Sequence, residues 1–362
     1  MARAEYCWPL IAVVVLCANL TLAQSFTWDA SGANPTNPTN GSGNWDTTSS
    51  ANWSNGTTDG TWVSGSTAVF EPKAGAPNAV VTIDDPSGAV NVGLLELAGN
   101  YSIAATPGDT LTMVPQAGGA VPGIVGAAVI SAPIAGTDGV DVSGGLLLTG
   151  QNTYTGATLS RQGEITLANG ASLGNTSISG SQGGLDVRGS AAAGTGGAGN
   201  SGATMTVLGT GLLFSMEDGT IGTFTLQQQS GFTGTALTGI GGGFGFDLGE
   251  TAADKLIDSG PGTASVRGTN VIDISTNSDA YLTPGSYTLI SVPAGGLTGT
   301  FDFFNGTTTE TVTVGGTAYT LTLTNSDTAE ILTVLPEPAS AALMALAGIF
   351  LLRRRQRRTP CV

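Results

Sequence analysis

Residues 145–175 have the sequence GLLLTGQNTYTGATLSRQGEITLANGASLGN, and this stretch decides the fold. It contains three short runs in which apolar and polar residues alternate, and Gly or Asn closes each run. Alternation with period two is typical of β-strands, and Gly and Asn are typical of tight turns. The stretch therefore predicts three strands, with turns at Asn169-Gly170 and Gln162-Gly163 among others. In the first run Leu146 and Leu148 are expected to face one way, Leu159 starts the second run, and Ile165 and Leu167 are expected to share a face in the third.

The rest of the chain repeats this pattern less regularly. Of 362 residues, 56 are Gly and only 10% are charged, a composition unlike that of helical globular proteins. Glycine has no strict three-residue period, which excludes collagen, and the many Thr, Val, Leu and Ile runs argue against disorder. An all-β fold is therefore expected. Short runs, Gly/Asn turns and the lack of long hairpins favour a solenoid over a sandwich or a barrel.

Charge and residue usage exclude several functional classes. The formal net charge is -15, and the central part of the chain is more acidic still, because five of the 11 basic residues lie in residues 353–358. Such a surface repels phosphate backbones, so no nucleic-acid partner is expected. Histidine is absent, which removes Ser–His and Cys–His nucleophiles and His-based metal sites. We expect no cofactor, no metal and no enzymatic activity.

The three cysteines are confined to the two ends of the chain, at Cys7, Cys17 and Cys361. Residues 1–23 begin with a positive charge, continue with a short apolar run and end at a small residue, as a secretory signal peptide does. Cleavage near Ala23 is expected, and a lipoprotein cut at Cys17 is the alternative. The central part then has no cysteine and needs no disulfides.

Residues 24–78 form a distinct Trp- and Asn-rich segment. It contains Trp28, Trp45, Trp53 and Trp62 among Asn, Ser, Thr and Gly. A row of Trp side chains can stack on sugars, and Trp45 and Trp53 are the candidate carbohydrate contacts. The preferred interpretation is a cap, because a stack of β coils has an open end that must be covered.

Residues 79–240 are expected to form the β-helix repeats, with the clearest copy at 145–175. Within them, residues 180–202 are rich in Gly and Ala and are expected to form a loop or linker. Residues 241–334 are more aromatic and more regular, and they are expected to complete the stack as a C-terminal β cap.

Residues 335–362 form a tail of three parts. Pro336, Glu337 and Pro338 come first, a helix-prone apolar run of residues 339–352 follows, and an Arg cluster closes the chain. The apolar run predicts a short transmembrane helix, and the arginines are expected to stay on the cytoplasmic side.

This tail resembles the PEP-CTERM sorting signal. The matching residues are Pro336, Glu337, Pro338, Arg353, Arg354 and Arg355. The resemblance implies a Gram-negative bacterium, transient attachment to the inner membrane, and cleavage near the motif by an exosortase-type enzyme. It also implies release to the cell surface or into an exopolysaccharide matrix.

The opening stretch resembles the autotransporter-associated β-strand repeat. The resemblance implies coils of a right-handed parallel β-helix, with the flanking segments as caps. The matching residues are Gly145, Leu146, Leu148, Gly150, Asn152, Tyr154, Gly156, Thr158, Gly163, Ile165, Leu167, Asn169, Leu173 and Gly174.

Acidic residues are the remaining candidates for chemistry. Residues 242–247 match a calcium-binding Gly-Gly-x-Gly-x-Asp motif, but a single copy cannot enclose an ion, so Asp247 is interpreted as a turn residue. Asp84-Asp85 and the pair Asp138 and Asp141 could serve as acid–base groups or hold calcium. Their sequence contexts are typical of turns.

The sequence thus predicts an exported, non-catalytic surface or extracellular-matrix β-helix protein with a structural or adhesive role. Its expected partners are the exosortase-type enzyme, the inner membrane and an exopolysaccharide. The alternative is a polysaccharide-binding or polysaccharide-degrading β-helix protein.

Overall fold

The computed structural model describes residues 24–71, 78–98, 101–116, 118–174, 176–194, 203–209, 212–228 and 232–337. Within these ranges the regular secondary structure is entirely β-strand, which confirms the all-β prediction. No helix able to cross a membrane occurs among them. The predicted signal peptide and the predicted terminal helix lie outside the described residues.

The strands are numbered in chain order, and short turns join them. The first ten are β1 (Ser25–Trp28), β2 (Gly43–Trp45), β3 (Trp53–Ser54), β4 (Asp59–Gly60), β5 (Thr67–Phe70), β6 (Ala79–Ile83), β7 (Ala89–Val92), β8 (Leu94–Leu97), β9 (Tyr101–Ala105) and β10 (Thr110–Met113). The next ten are β11 (Gly123–Gly126), β12 (Ala128–Ile130), β13 (Ile134–Ala135), β14 (Val140–Ser143), β15 (Leu146–Leu148), β16 (Thr158–Leu167), β17 (Ser172–Leu173), β18 (Ser177–Gly180), β19 (Gly183–Val187) and β20 (Ala191–Ala193). The last are β21 (Thr204–Leu208), β22 (Leu213–Ser215), β23 (Thr223–Leu226), β24 (Thr235–Ile240), β25 (Gly243–Leu248), β26 (Lys255–Asp258), β27 (Thr263–Arg267), β28 (Thr269–Thr276), β29 (Gly285–Ser291), β30 (Thr300–Phe303), β31 (Thr309–Val314), β32 (Thr317–Asn325) and β33 (Ala329–Pro336).

Most strands pair in parallel and form rows in which each strand pairs with one from an earlier and one from a later part of the chain. The first row runs β1, β5, β8, β11, β14, β16, β18, β21, β24, β27. The second runs β2, β6, β9, β12, β15, β16, β19, β22, β25, β28, β30. A third group has two separate parts. One consists of β7, β10 and β13, and the other consists of β17, β20, β23, β26 and β29.

The number of residues between paired strands is smallest in the middle of the chain and larger towards both ends. Leu146 pairs with Ile165 and Ile165 with Leu185, so about 20 residues separate partners in this part. Phe214 pairs with Phe244 and Phe244 with Ile272, which is a separation of about 30 residues. The extra residues lie in longer connections between strands.

The core consists of side chains that stack in columns from strand to strand. Alternate residues of a strand point to the same face, so register aligns them into continuous apolar columns. One column of the second row is at most 1% exposed at every position, and it contains Leu146, Ile165, Leu185, Phe214, Phe244, Ile272 and Phe303. A single buried apolar cluster extends from Phe26 to Val334.

The structure corrects one detail of the strand prediction for residues 145–175 and shows which side of the second run faces the core. Gln162-Gly163 is not a turn between strands, because β16 continues through it from the first row into the second. Gly163 has φ +89°, and this left-handed bend, which Gly adopts at little cost, redirects the strand. Leu159 is half-buried, and Thr158 and Ser160 face the core in its place.

A chain of buried hydroxyls explains why Thr158 faces inward. The Tyr154 hydroxyl lies 2.7 Å from Oγ1 of Thr158, which in turn lies 2.7 Å from Oγ1 of Thr176. Thr176 donates to the carbonyl of Gly156 at 2.7 Å. Because each buried hydroxyl has a partner, the polar groups cost little inside the apolar stack.

Asn152 joins consecutive levels of the same region. Its side chain is 1% exposed, and its Oδ1 accepts a hydrogen bond from the backbone N–H of Ile134 at 2.9 Å. Its Nδ2 donates to the carbonyl of Ser172 at 2.8 Å. The side chain thereby satisfies backbone groups at a corner where no strand pairing is available.

The prediction that residues 180–202 form a loop or linker is wrong in part. Residues 183–187 form β19 and residues 191–193 form β20, and both strands pair in parallel with earlier and later strands. Small Ala side chains fill the narrow inner space at β20, where Ala193 is fully buried. Residues 195–202 lie outside the described residues.

The two ends of the rows differ from the middle because antiparallel strands occur there. At the N-terminal end, β1 pairs with β3, and β3 with β4, in antiparallel fashion. At the C-terminal end, β29, β33, β32 and β31 pair in that order as an antiparallel sheet.

Candidate functional site

The tryptophans of residues 24–78 form one buried cluster at the N-terminal end of the rows. Trp45 is 0% and Trp53 is 1% exposed, and their ring centroids are 4.8 Å apart. Trp53 also lies 4.6 Å from Trp62 and 5.3 Å from Trp28. Sugar stacking needs an exposed ring face, and neither Trp45 nor Trp53 has one in this structure.

Two buried carboxylates organise the loops around this cluster. Asp29 accepts hydrogen bonds from the backbone N–H groups of Ser31, Asn34 and Thr39, and Asp46 accepts from those of residues 48–50. Burial alone would raise the pKa of each carboxyl. The hydrogen bonds from Thr39 and Ser31 to Asp29, and those from residues 48–50 to Asp46, lower the pKa by more than burial raises it. Both pKa values therefore lie well below the usual range.

Part of the predicted sorting motif lies at the end of the terminal sheet. Pro336 is the last residue of β33 and pairs with Tyr319. Glu337 is exposed, its N–H donates to the carbonyl of Ala318, and its Oε1 accepts from the Thr311 and Thr320 hydroxyls at 3.2 Å each. The other motif residues, Pro338, Arg353, Arg354 and Arg355, lie outside the described residues.

One residue of each sequence-predicted acidic pair, Asp85 and Asp141, contacts a neighbouring level of the stack. Asp85 is buried at a turn, where it accepts hydrogen bonds from Ser87 and from the N–H of Thr47. Asp141 lies in β14 and forms an ion pair with Arg161 at 2.6 Å. These are contacts that join neighbouring levels of the stack.

The interpretation of Asp247 as a turn residue is wrong. It lies inside β25, is 1% exposed, and accepts a hydrogen bond from the N–H of Gly219. The N–H of Asp247 donates to Asp254 at 2.7 Å, and Gly222 donates to the other oxygen of Asp254 at 2.6 Å. Burial raises the pKa of Asp254 to about 7. No cluster of three or more His, Cys, Asp or Glu side chains suited to a metal occurs among the described residues.

A surface groove of about 370 Å³ crosses the second row at β25, and we call it the glycine groove. In β25 the buried Phe244 and Phe246 point inward, and Gly243 and Gly245 occupy the alternate, outward positions. The floor of the groove at these two positions has no side chain of its own, and the next residue on the same face, Asp247, is buried.

The wall on the β22 side consists of side chains that lean over this floor. A Cβ at Gly243 would lie 2.6 Å from Cδ1 of Leu213, and a Cβ at Gly245 would lie 2.5 Å from Oε2 of Glu217. The two glycines are therefore what allows Leu213 and Glu217 to approach the backbone. Leu213 remains 56% exposed, which is unusual for a leucine in a packed sheet.

The opposite wall comes from β28 and from the residue after β30. Parallel register places Ser215, Gly245 and Asp273 side by side on successive strands. Ile272 pairs with Phe303, so Phe304 follows next to Asp273, and it is 80% exposed. An exposed aromatic ring, a carboxylate and an apolar side chain therefore border one groove.

The groove is strongly acidic. Partial burial against the strand, followed by the negative charges of Asp273 and Asp247, raises the pKa of Glu217 to about 7. A carboxylate in such surroundings is stabilised by any donor or positive charge that approaches it. The groove thus favours ligands with hydroxyl or amino donors and disfavours anions.

Sequence reasoning did not find this site. Glu217, Gly245, Asp273 and Phe304 are each separated by roughly 30 residues, and only parallel register brings them together. The available signal was the alternation of Gly and Phe in residues 242–247, which marks a strand with an empty outer face.

No protein-family model matches the chain, and a search of curated proteins finds no match.

Proposed function

We propose that the chain forms a right-handed parallel β-helix and acts as an exported, non-catalytic protein of the cell surface or extracellular matrix. Its role is structural and adhesive. The C-terminal tail directs it there as a PEP-CTERM sorting signal, with an exosortase-type enzyme as its processing partner and the inner membrane as a transient attachment site.

The continuous stack of parallel strands is the observation that supports this proposal best. The rows extend from β1 to β30, and one apolar cluster joins them throughout. The Trp cluster and the terminal antiparallel sheet serve as caps, which remove the open edges on which other chains could pair. No cysteine lies among the described residues, so ladder hydrogen bonds and stacked apolar side chains supply the rigidity.

The position of Glu337 suits attachment through a C-terminal tail. The motif begins where β33 ends, on the exposed side of the last sheet, so the tail leaves the folded part at one end of the rows. A processing enzyme can approach this point without opening the apolar core.

Terminal mapping combined with cell fractionation tests the sorting proposal. Mass spectrometry of the protein from producing cells should show residues 1–23 and the Arg-rich end removed, and the protein should be in the surface or extracellular fraction. An exported form with an intact Val362 would contradict the processing step. Replacement of Glu337 by Gln tests the motif, and Glu310→Gln, in the same sheet, is the control that should be processed normally.

The non-catalytic part has its own test. The groove contains the two carboxylates that a polysaccharide-degrading enzyme would use, Glu217 and Asp273. Incubation with polysaccharides should release no shorter products. Release of products by the wild type that stops in Glu217→Gln would contradict a purely structural and adhesive role.

A further inference from the structure

We propose that the glycine groove binds a segment of a polysaccharide made of neutral or amino sugars. The inference deepens the adhesive role proposed above, which it assumes, and it places that role in a defined site. The juxtaposition of an exposed aromatic ring, an exposed leucine and two carboxylates around a glycine-lined floor is the observation behind it.

The groove offers apolar surface to a flat, rigid ligand. Leu213 and Glu217 lean over Gly243 and Gly245, so a ligand in the groove meets these two side chains above the β25 backbone. Leu213 and Phe304, 56% and 80% exposed, offer apolar surface on two sides. The C–H face of a sugar ring packs on such surface, and large exposed apolar side chains beside a polar groove are typical of binding sites.

The polar groups suit a ligand with many donors. Carboxylates are acceptors that can receive two hydrogen bonds each, and the hydroxyls of a sugar supply them. Ser215, in register with Gly245 and Asp273, adds a hydroxyl that accepts a hydrogen bond from the N–H of Glu217 at 3.2 Å and can donate to a ligand. Glu217 and Asp273 repel each other, so hydroxyl or ammonium donors from a ligand relieve an existing cost.

Charge selects among polysaccharides. The chain has a formal net charge of -15, and none of the described residues that line the groove is Lys or Arg. Uronic-acid or sulfated polymers would bring further negative charge to Glu217 and Asp273, so the groove rejects them. Neutral glycans and glucosamine polymers meet no such barrier.

Binding can be measured with the full chain by titration calorimetry or affinity electrophoresis. The probes are cellohexaose, maltohexaose and laminarihexaose as neutral sugars, a glucosamine hexamer as an amino sugar, and hexagalacturonate as the acidic control. We expect at least one neutral or amino probe to bind with a Kd of about 1 mM or below, and hexagalacturonate to bind at least about tenfold more weakly.

Two variants test whether binding occurs in the groove. Phe304→Ala removes the ring, and Gly245→Ala moves the Glu217 carboxylate and fills part of the floor. Each should weaken binding by about tenfold or more. Gly285→Ala is the control, because a Cβ there meets nothing within 4 Å and the site is far along the chain. Its affinity should equal that of the wild type.

The inference is overturned if no neutral or amino probe binds at about 5 mM, or if Phe304→Ala and Gly245→Ala bind as the wild type does. Binding of hexalysine without binding of any sugar would also overturn it in favour of a basic peptide. Circular dichroism of each variant verifies the fold. The localisation experiment is independent of these results, so failure of the groove and failure of the sorting proposal can be told apart.

Discussion

Glu330 should make the stability of the terminal sheet depend on pH. It lies in β33 on the same inward face as Leu332 and Val334, is 0% exposed, and neither of its oxygens has a hydrogen-bond partner among the residues that the structure describes. Its paired residues on the two neighbouring strands are Ile290 in β29 and Asn325 in β32. Burial raises its pKa to about 8, so the folded protein holds this carboxyl protonated at neutral pH.

The sign and size of the effect follow from the difference between folded and unfolded states. The unfolded chain ionises Glu330 near 4.5, and the folded chain near 8. The contribution to stability is therefore complete below pH 4.5 and is lost as the pH rises through about 8. At about 1.4 kcal/mol per pH unit, the loss is roughly 5 kcal/mol in total.

Hydrogen exchange measured by mass spectrometry can follow the terminal sheet alone. This is useful because the parts of a stacked β protein can open separately. After correction for chemical exchange rates, the opening free energy of peptides from β29, β32 and β33 should fall with rising pH between about 5 and 8. Glu330→Gln should abolish this slope. Glu330→Met, which also removes the buried polar group, should make opening harder by a few kcal/mol at pH 8.

Glu250→Gln is the matched control, because Glu250 is exposed in the same part of the chain, and its slope should equal that of the wild type. A wild-type sheet with no pH slope, or a slope that survives both replacements of Glu330, would show that the carboxyl is not held protonated. Should Glu330→Gln fail to fold, Glu330→Met still provides the comparison.

Three further predictions concern other parts of the chain. Trp53→Ala should destabilise the N-terminal end by about 3–5 kcal/mol, because it empties the centre of the Trp cluster, and a red shift of the remaining Trp fluorescence would report it. An unchanged emission maximum and melting curve would contradict that packing. The pKa of Asp29 is lowered, so its contribution to stability is present above about pH 4 and is lost as the pH falls. Asp29→Asn should therefore cost about 1–3 kcal/mol of folding free energy at pH 7. The same replacement should make the Trp fluorescence less sensitive to acid. Asn152→Ala leaves the buried N–H of Ile134 without a partner and should cost about 1–3 kcal/mol in thermal unfolding, whereas Gln162→Ala at an exposed position should cost nothing measurable.

Much of the strand pattern could be predicted from local chemistry. Leu146 with Leu148, and Ile165 with Leu167, were expected to share faces, and all four are buried. Which residues of the Leu159 run face the core could not be predicted, because the burial of Thr158 depends on its contact with the Tyr154 hydroxyl. The turn predicted at Gln162-Gly163 is wrong, because a glycine bend inside a strand and a turn between strands have the same composition.

The tryptophans illustrate the same limit for function. Their presence in one polar segment indicated either a surface for sugars or a buried cluster, and composition does not distinguish these. The antiparallel pairing of β1 with β3 directs Trp28 and Trp53 at each other, and that decides in favour of burial.

The sequence by itself determined the all-β class, the short strands, and the absence of disulfide and histidine chemistry from the central part. These depend on period, composition and residue type, which are local properties. The tertiary structure alone decided which levels lie next to each other. Parallel pairing joins residues about 20 to 30 positions apart, so the column of Leu146, Ile165 and Leu185 and the grouping of Glu217, Asp273 and Phe304 arise only from register. Register is set by the combined burial of all rows, and no single segment specifies it.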